Sequence, residues 1–315
     1  MAQQRVLVTG AAGFVGAVVV RRLLADGHEV VAVARPGSDL WRLDGVRDDA
    51  ALVEADLGDA DAVEAAVAAA RPTWVFSLAA HGAYSWQTAL PGMIAVNVTG
   101  VTNVVEAALR HGVAAIVHAG SSSEYGYQDH APREDELPRP NSAYAVTKVA
   151  ATMYCGWVAR ERAASVSVLR LYSAYGPWED PRRLVPALVS AGLRGTLPPL
   201  ANPSIARDFV YVDDVAEAFV RAAECARPGE GAVYNIGSGA QTTLADAVAA
   251  SRRVFGVEEE PAWGAFDARG WDTNCWVADA RAARDALGWV PAVALDDGLA
   301  ATGAWMEAHA VGRRG

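Results

Sequence analysis

The sequence predicts an α/β fold, a doubly wound parallel sheet followed by a smaller C-terminal domain, and three observations predict it. A short apolar run, Arg5–Thr9, leads directly into the glycine turn Gly10-Ala11-Ala12-Gly13-Phe14-Val15-Gly16 and then into an apolar helical stretch. Beyond it, strand-like apolar runs alternate with alanine-rich helical stretches, the pattern of a parallel sheet with helices on both faces. After Tyr172 the alternation gives way to an irregular segment carrying Pro177, Pro181, Pro186, Pro198, Pro199 and Pro203.

The first strand is expected at Arg5–Thr9, and its helix from Val15 to Asp26 with Gly27 as the C-terminal stop. Further strands are expected at Glu29–Ala34, Ala51–Glu54, Trp74–Leu78, Ile116–Ala119 and Val166–Leu171. Between them, helices are expected at Asp61–Ala70, Met93–His111 and Ala143–Arg162. Residues 1–172 form one domain on this reading, with 205–240 returning to it in part. Residues 173–204 and 241–315 form a smaller domain over the C-terminal strand ends, where such sheets bind ligands, and the tail from Val311 is expected to be disordered.

Strand, glycine turn and helix together make a dinucleotide-binding unit. Glycines let the backbone approach a pyrophosphate, and the helix N-terminus favours its negative charge. A second motif lies at Tyr144-Ala145-Val146-Thr147-Lys148, where Lys148 is the one lysine among 27 basic residues. Arginine serves everywhere else, so this position calls for a compact ammonium whose pKa can shift. Tyr144 lies one helical turn before it, on the same face. A nearby ammonium stabilises phenolate and draws the tyrosine pKa down from about 10, which makes a general acid/base.

Thr-Gly-x-x-Gly-x-x-Gly at Thr9–Gly16 with Tyr144-x-x-x-Lys148 resembles the extended short-chain dehydrogenase/reductases, and among them the nucleotide-sugar epimerases, dehydratases and 4-ketoreductases. The resemblance covers nearly the whole chain. Asp56-Leu57 matches the adenine-contacting pair, Leu78-Ala79-Ala80 the Leu-Ala-Ala after the fourth strand, Asn97 the helix asparagine and Tyr125-Gly126 the Tyr-Gly pair. Arg207–Asp214 and Tyr234–Gly239 match two later motifs. The resemblance implies a Rossmann-type fold with a substrate-binding domain. It implies a dinucleotide held by Thr9, Gly10, Gly13, Phe14, Val15, Gly16, Arg35, Asp56, Leu57, Leu78, Ala79, Ala80, Tyr144, Lys148 and Tyr172. Its catalytic set is Ser121, Tyr144 and Lys148.

Several departures refine that expectation. Ala34 stands where an NAD site usually carries a carboxylate, and Arg35 follows it, with Ser38 near. Losing the carboxylate removes repulsion against a 2′-phosphate that Arg35 can pair with, so NADP is expected, with NAD the alternative. Dehydratases of the group carry an Asp-Glu or Ser-Glu pair at the two positions after the catalytic Ser or Thr. Here Ser122 and Ser123 follow, and the first acid is Glu124, which in an extended segment points the other way; a shifted register would restore Glu124 or exchange Ser122 for Ser121. On the substrate side, Arg207 matches the arginine that grips the diphosphate, while Ser173 replaces an asparagine. The second diphosphate arginine falls on Thr273, with Arg269 and Trp271 nearby and Arg182 or Arg183 able to compensate. Tyr84, Trp86 and Gln87 lie where the hexose is contacted in the group, a place equally open to core packing.

The expected activity is therefore an NADP-dependent 4-ketoreductase of a nucleotide-linked 4-keto-6-deoxy sugar. The alternative is a nucleotide-sugar 4-epimerase with tightly bound NAD, and the second alternative a non-catalytic dinucleotide-binding sensor. A net charge of −10 argues against nucleic acid or an anionic membrane as partner. The longest apolar run, Phe14–Leu24, is broken by Arg21-Arg22, and the chain opens directly into a strand, so a cytoplasmic enzyme is expected. Three scattered cysteines and six histidines give no metal-ligand spacing, so no metal is expected. A homodimer through the helix of Tyr144 is expected from the resemblance and from Val149–Trp157.

Overall fold

The computed structural model describes residues 2–84, 86–266 and 273–310. Arg269, Trp271 and the 311–315 tail lie outside the described residues. The first half runs β1 (Arg5–Thr9), α1 (Phe14–Ala25), β2 (Glu29–Ala34), β3 (Ala51–Glu54), α2 (Ala60–Ala70) and β4 (Trp74–Ser77). It continues with α3 (Leu90–Ile94), α4 (Val101–Arg110), β5 (Ala115–Ser121), α5 (Ala143–Arg162) and β6 (Val166–Leu171). Then come β7 (Ser173–Tyr175), α6 (Leu184–Gly192), β8 (Ala206–Arg207), β9 (Phe209–Tyr211), α7 (Val212–Glu224) and β10 (Val233–Ile236). The described chain ends with β11 (Thr242–Thr243), α8 (Leu244–Phe255), α9 (Arg281–Leu287) and α10 (Leu295–Ala310).

Among the described residues, seven strands form one sheet in the order β10-β6-β5-β4-β1-β2-β3, every pair parallel. A parallel sheet hides both faces, which is why Val6 and Leu7, and Val75 and Phe76, are all buried although neighbours along a strand point to opposite sides. Each such side chain stabilises the fold by about 1.5–3 kcal/mol. One face packs α1 and α7 against Val19, Leu23, Phe76 and Phe219. The other packs α2, α4 and α5 against Leu7, Val67, Val104 and Val158. The strand order changes direction on either side of β1, and the crevice between the C-terminal ends of β1 and β4 is where such sheets bind ligands.

The helices α6, α8 and α10 pack on one another beyond β6, around Tyr175, Val185, Val189, Ala250 and Leu299. The proline-rich stretch thus contains a helix the sequence reading missed. Pro186 sits in the first turn of α6, where no backbone N–H is needed.

The helix expected from Met93 begins at Leu90, because Pro91 is tolerated at its start, and a π-helical turn at Ala95–Gly100 joins α3 to α4. Among the described residues, the continuous helical stretch Leu90–Arg110, rather than Phe14–Leu24, is by length and composition alone apolar enough to cross a membrane. In this fold it packs against α2 and α5 in the core, with Val101, Val104, Val105, Ala107 and Ala108 buried. The segment after Ser121 is a 3₁₀ turn, Ser122–Tyr125, rather than extended chain.

Candidate active site

A cavity of about 1270 Å³ runs from the glycine turn, past the ends of β4 and β5, to the segment between β7 and α6. Gly10, Gly13, Phe14, Val15, Gly16, Arg35, Asp56, Leu57, Leu78, Ala79 and Ala80 line one end. A Cβ on Gly10 would fall 2.6 Å from the Ala79 nitrogen, and one on Gly16 2.2 Å from the Gly10 carbonyl. Those two glycines let the turn close on itself, and φ of +68° at Gly10 adds a second reason there. A Cβ on Gly13 meets nothing nearer than the Gly10 carbonyl at 3.0 Å, so its open side faces the cavity.

Thr9 is the one predicted site residue that does not line the cavity. It is 1% exposed and its hydroxyl accepts from the Ala79 N–H at 3.4 Å, so it ties β1 to the loop after β4. Arg35 is exposed at the cavity wall, Ala34 is buried behind it, and Asp39 and Arg42 stand in the same wall.

Ser121, Ser122, Ser123, Tyr144, Lys148 and Tyr172 line the middle. Ser121 caps the 3₁₀ turn: its hydroxyl lies 2.7 Å from that of Ser123 and accepts from the Ser123 N–H at 3.2 Å. Ser142 caps α5 by accepting from the Ala145 N–H, which fixes the start of the helix carrying Tyr144 and Lys148. Asn97, in the π turn, is fully buried. It accepts from the His81 N–H and donates to the His81 carbonyl and the Thr147 hydroxyl, so it clamps the loop after β4 to the same helix.

The tyrosine–lysine electrostatics differ from expectation. Burial pushes the Tyr144 phenol up to about 12, and the groups that offset the rise are Ser121 and Arg183, not Lys148. The Lys148 ammonium donates to the Ala119 carbonyl and lies 3.5 Å from His118 Nε2. Burial lowers it to about 8, and drives the fully buried His118 well below the usual imidazole range. Lys148 is therefore held by the backbone of β5 rather than by the phenol.

Glu124 is not in the cavity. As the third residue of the turn its carboxylate folds back to accept from the Ser121 N–H at 2.9 Å and pairs with Arg170 on β6. Arg170 also donates to the Tyr125 hydroxyl, which donates to Asn235. The serine turn thus rests on a buried polar network that links β5, β6 and β10.

At the far end, Tyr84, Ser173, Arg183 and Arg207 line the cavity with Trp86, Gln87 and Arg182. Tyr84 and Trp86 stack at 4.7 Å, and the Arg182 guanidinium lies 3.6 Å above Trp86 while bonding both oxygens of Asp180. Arg183 donates to Glu179 at 3.3 Å. Asp208, next to Arg207, is occupied by the N–H groups of Ser238, Gly239 and Ala278, so it is not the partner of that arginine. Arg207 instead lies 5.7 Å from the Trp276 ring. Thr273 bonds Cys275 locally, away from the cavity.

Sequence reasoning missed Asn141, Glu179, Arg42 and Trp276, all in the wall. The one available signal was the acid-acid-Pro-base-base run Glu179–Arg183, in which i and i+4 carry opposite charge. Asn141, Tyr172, Tyr175, Glu179 and Trp276 each leave a buried side-chain polar atom without a partner, and all five line this cavity. Such atoms are costly unless something bonds them, so the wall fits a polar occupant. The glycine cradle and the helix N-terminus behind it fit a dinucleotide.

Fold and site together define a dinucleotide-binding oxidoreductase architecture with a tyrosine–lysine centre. The model of the NAD dependent epimerase/dehydratase family matches residues 6–237, and the chain belongs to that family. The chain is 36% identical over 310 residues to a UDP-glucose 4-epimerase of Mycolicibacterium smegmatis, covering 95% of this chain and 97% of that one. It is 34% identical to a dTDP-glucose 4,6-dehydratase of Streptomyces griseus, over 96% of this chain and 94% of the relative. Among solved structures it is similar to a UDP-glucose 4-epimerase of Thermotoga maritima with UDP-glucose, at 30% identity and a TM-score of 0.88, over 97% and 99% of the two chains. It is also similar to MoeE5 in complex with UDP-glucose and NAD, at 34% identity and a TM-score of 0.83, over 97% and 99%. The chain is thus a nucleotide-sugar enzyme of the short-chain dehydrogenase/reductase type.

Proposed function

We propose that this protein is a nucleotide-sugar 4-epimerase that keeps NAD bound through turnover, the alternative that the sequence offers to a ketoreductase. The observation that carries it is the pairing of one acid/base phenol, Tyr144, with a serine turn whose only acid is locked into an ion pair with Arg170. Elimination of water needs a carboxylate beside the sugar, and this turn offers hydroxyls alone. Similarity to two UDP-glucose 4-epimerases and to a complex holding NAD supports the epimerase over the reductase.

On this reading residues 173–204 and 241–315 form the substrate-binding domain, and the nucleotide sugar is held by its Ser173 and Arg183 together with Arg207, Tyr84, Ser122 and Ser123 from the rest of the cavity wall. NAD, which the glycine turn would hold, would supply the hydride acceptor and donor that oxidation and re-reduction at C4 of the sugar require. Tyr144 takes the proton of the C4 hydroxyl and gives it back to the oxygen of the inverted centre. Ser121 donates to that oxygen, and Lys148 holds the ribose. The expected homodimer is supported by Val146, Met153 and Trp157, exposed on α5 at 53%, 54% and 46%.

A second reading, the NADP-dependent 4-ketoreductase, is favoured by Ala34 and by Arg35 at the cavity wall. Asp39 in the same wall supplies a carboxylate for the ribose hydroxyls and supports NAD. Denaturing the purified protein and identifying the released nucleotide tests both. Stoichiometric NAD with interconversion of UDP-glucose and UDP-galactose is the expected result. Loosely held NADP, with NADPH consumed by a 4-keto-6-deoxy sugar nucleotide, would give the ketoreductase instead.

A further inference from the structure

Trp178 lies behind the wall of the main cavity, directly before the Glu179–Arg183 segment that lines it. Its backbone has φ of +72°, a left-handed conformation that a bulky residue rarely adopts and that persists only where the surroundings impose it. The surroundings are specific. The ring is 9% exposed and lies under the Arg21 guanidinium at 3.8 Å. Trp305 meets it at 4.9 Å, His309 at 5.1 Å and Trp41 at 5.8 Å. Its carbonyl accepts from Arg42 Nε at 2.7 Å.

Trp41 and Arg42 belong to the loop after β2, whose Arg35, Gly37, Ser38, Asp39 and Arg42 wall the dinucleotide end of the cavity. Arg21, on the helix that begins at the glycine turn, donates to the carbonyls of Arg42 at 2.6 Å and Asp44 at 2.8 Å, and so fixes that loop to α1. On the other side of Trp178, the next residues in sequence are Glu179, Arg182 and Arg183, which wall the sugar end. The same residue therefore meets Arg21 of the helix behind the glycine turn and Trp41 of the loop after β2 through its ring, holds Arg42 through its carbonyl, and leads directly along the chain into Glu179–Arg183.

We propose that Trp178 is a positioning residue that links the two halves of the site, so that filling the dinucleotide end strengthens binding at the sugar end and the reverse. The inference rests on the dinucleotide and nucleotide-sugar reading of the cavity. A ligand that orders the Arg35–Asp44 loop also orders, through Trp178, the backbone of Glu179–Arg183, and the second ligand then binds to a wall already set. Linkage is reciprocal: a seated sugar nucleotide slows loss of the dinucleotide. An epimerase has use for this, because the keto sugar and the reduced cofactor must stay together between the two hydride transfers.

The test measures the dissociation constant of UDP by calorimetry on protein stripped of dinucleotide and on the same protein reloaded with the nucleotide it releases on denaturation. It compares the native chain with Trp178→Gly, which tolerates the left-handed backbone, and Arg21→Gln, whose side chain lies outside the main cavity. UDP is expected to bind the loaded native protein at least about fivefold more tightly than the empty one. That factor is expected to fall towards one in both variants. If Trp178→Gly does not fold, judged by circular dichroism, Arg21→Gln carries the comparison. A factor of one in the native protein, or an equal factor in native and variant, overturns the linkage while leaving the functional reading intact. A native protein that binds neither UDP nor a dinucleotide overturns both.

Discussion

Glu124 and Arg170 meet at 2.9 Å beneath the serine turn, at 0% and 3% side-chain exposure, and their pairing takes the turn's only carboxylate out of the chemistry. Breaking such a buried pair from one side leaves an uncompensated charge. Glu124→Gln is expected to lower stability by about 3–5 kcal/mol in denaturant unfolding. The pH profile of whatever activity remains keeps its shape. A lost acidic or basic limb would instead make Glu124 a proton-transfer group.

Tyr144→Phe removes the acid/base hydroxyl and little else. Turnover is expected to fall by roughly 10²–10⁴-fold, with the dinucleotide still bound. Steady-state rates together with nucleotide content check both parts. Full activity in the variant would fit a binding protein that has no need of the phenol.

The lysine gives a pH signature in ligand-free protein. Burial lowers Lys148 from 10.5 to about 8, so its folded pKa lies below its unfolded one. Between those values the unfolded chain binds the extra proton, and stability rises with pH. The penalty is fully present below about 8 and is relieved towards 10.5, a swing on the order of 3 kcal/mol. The native protein should therefore gain stability against Lys148→Met between pH 7 and pH 10. Parallel unfolding curves for the two across that range would contradict the assignment.

The glycine turn separates folding from binding. A methyl on Gly16 would overlap the Gly10 carbonyl at 2.2 Å, whereas one on Gly13 meets only that same oxygen at 3.0 Å and otherwise faces the cavity. Gly16→Ala is expected to destabilise the fold outright. Gly13→Ala is expected to fold, at a cost of about 1 kcal/mol, and to lose dinucleotide affinity by about tenfold or more. Thermal unfolding beside nucleotide titration distinguishes the two.

Much of this was legible in the chain itself. Arg5–Thr9, Glu29–Ala34, Ala51–Glu54 and Val166–Leu171 read as strands from their short runs rich in Val, Leu and Ala, and the structure has them at those bounds, although the edge strand Ala51–Glu54 is mostly exposed. The Ala143–Arg162 helix was legible for the same kind of local reason. What sequence could not reveal was set by tertiary partners. Glu124 looked misplaced by one residue, yet its direction is fixed by Arg170, 46 positions away. Lys148 looked like the partner of Tyr144, yet the Ala119 carbonyl takes its ammonium. Pro186 hid a helix because proline reads as a breaker until its place in the first turn is known. Trp178 gave no signal, since a left-handed backbone at tryptophan is imposed by Arg21, Arg42 and α10 together.

The solitary lysine has a practical consequence. Lys148 is 1% exposed, so amine-directed reagents meet no lysine on the surface of the folded chain. With a pKa of about 8 it is half unprotonated in mildly alkaline buffer, which makes it a good nucleophile once the wall opens. Acylation of this side chain by a small reagent would thus label one defined atom, and its rate would clock the opening of the pocket.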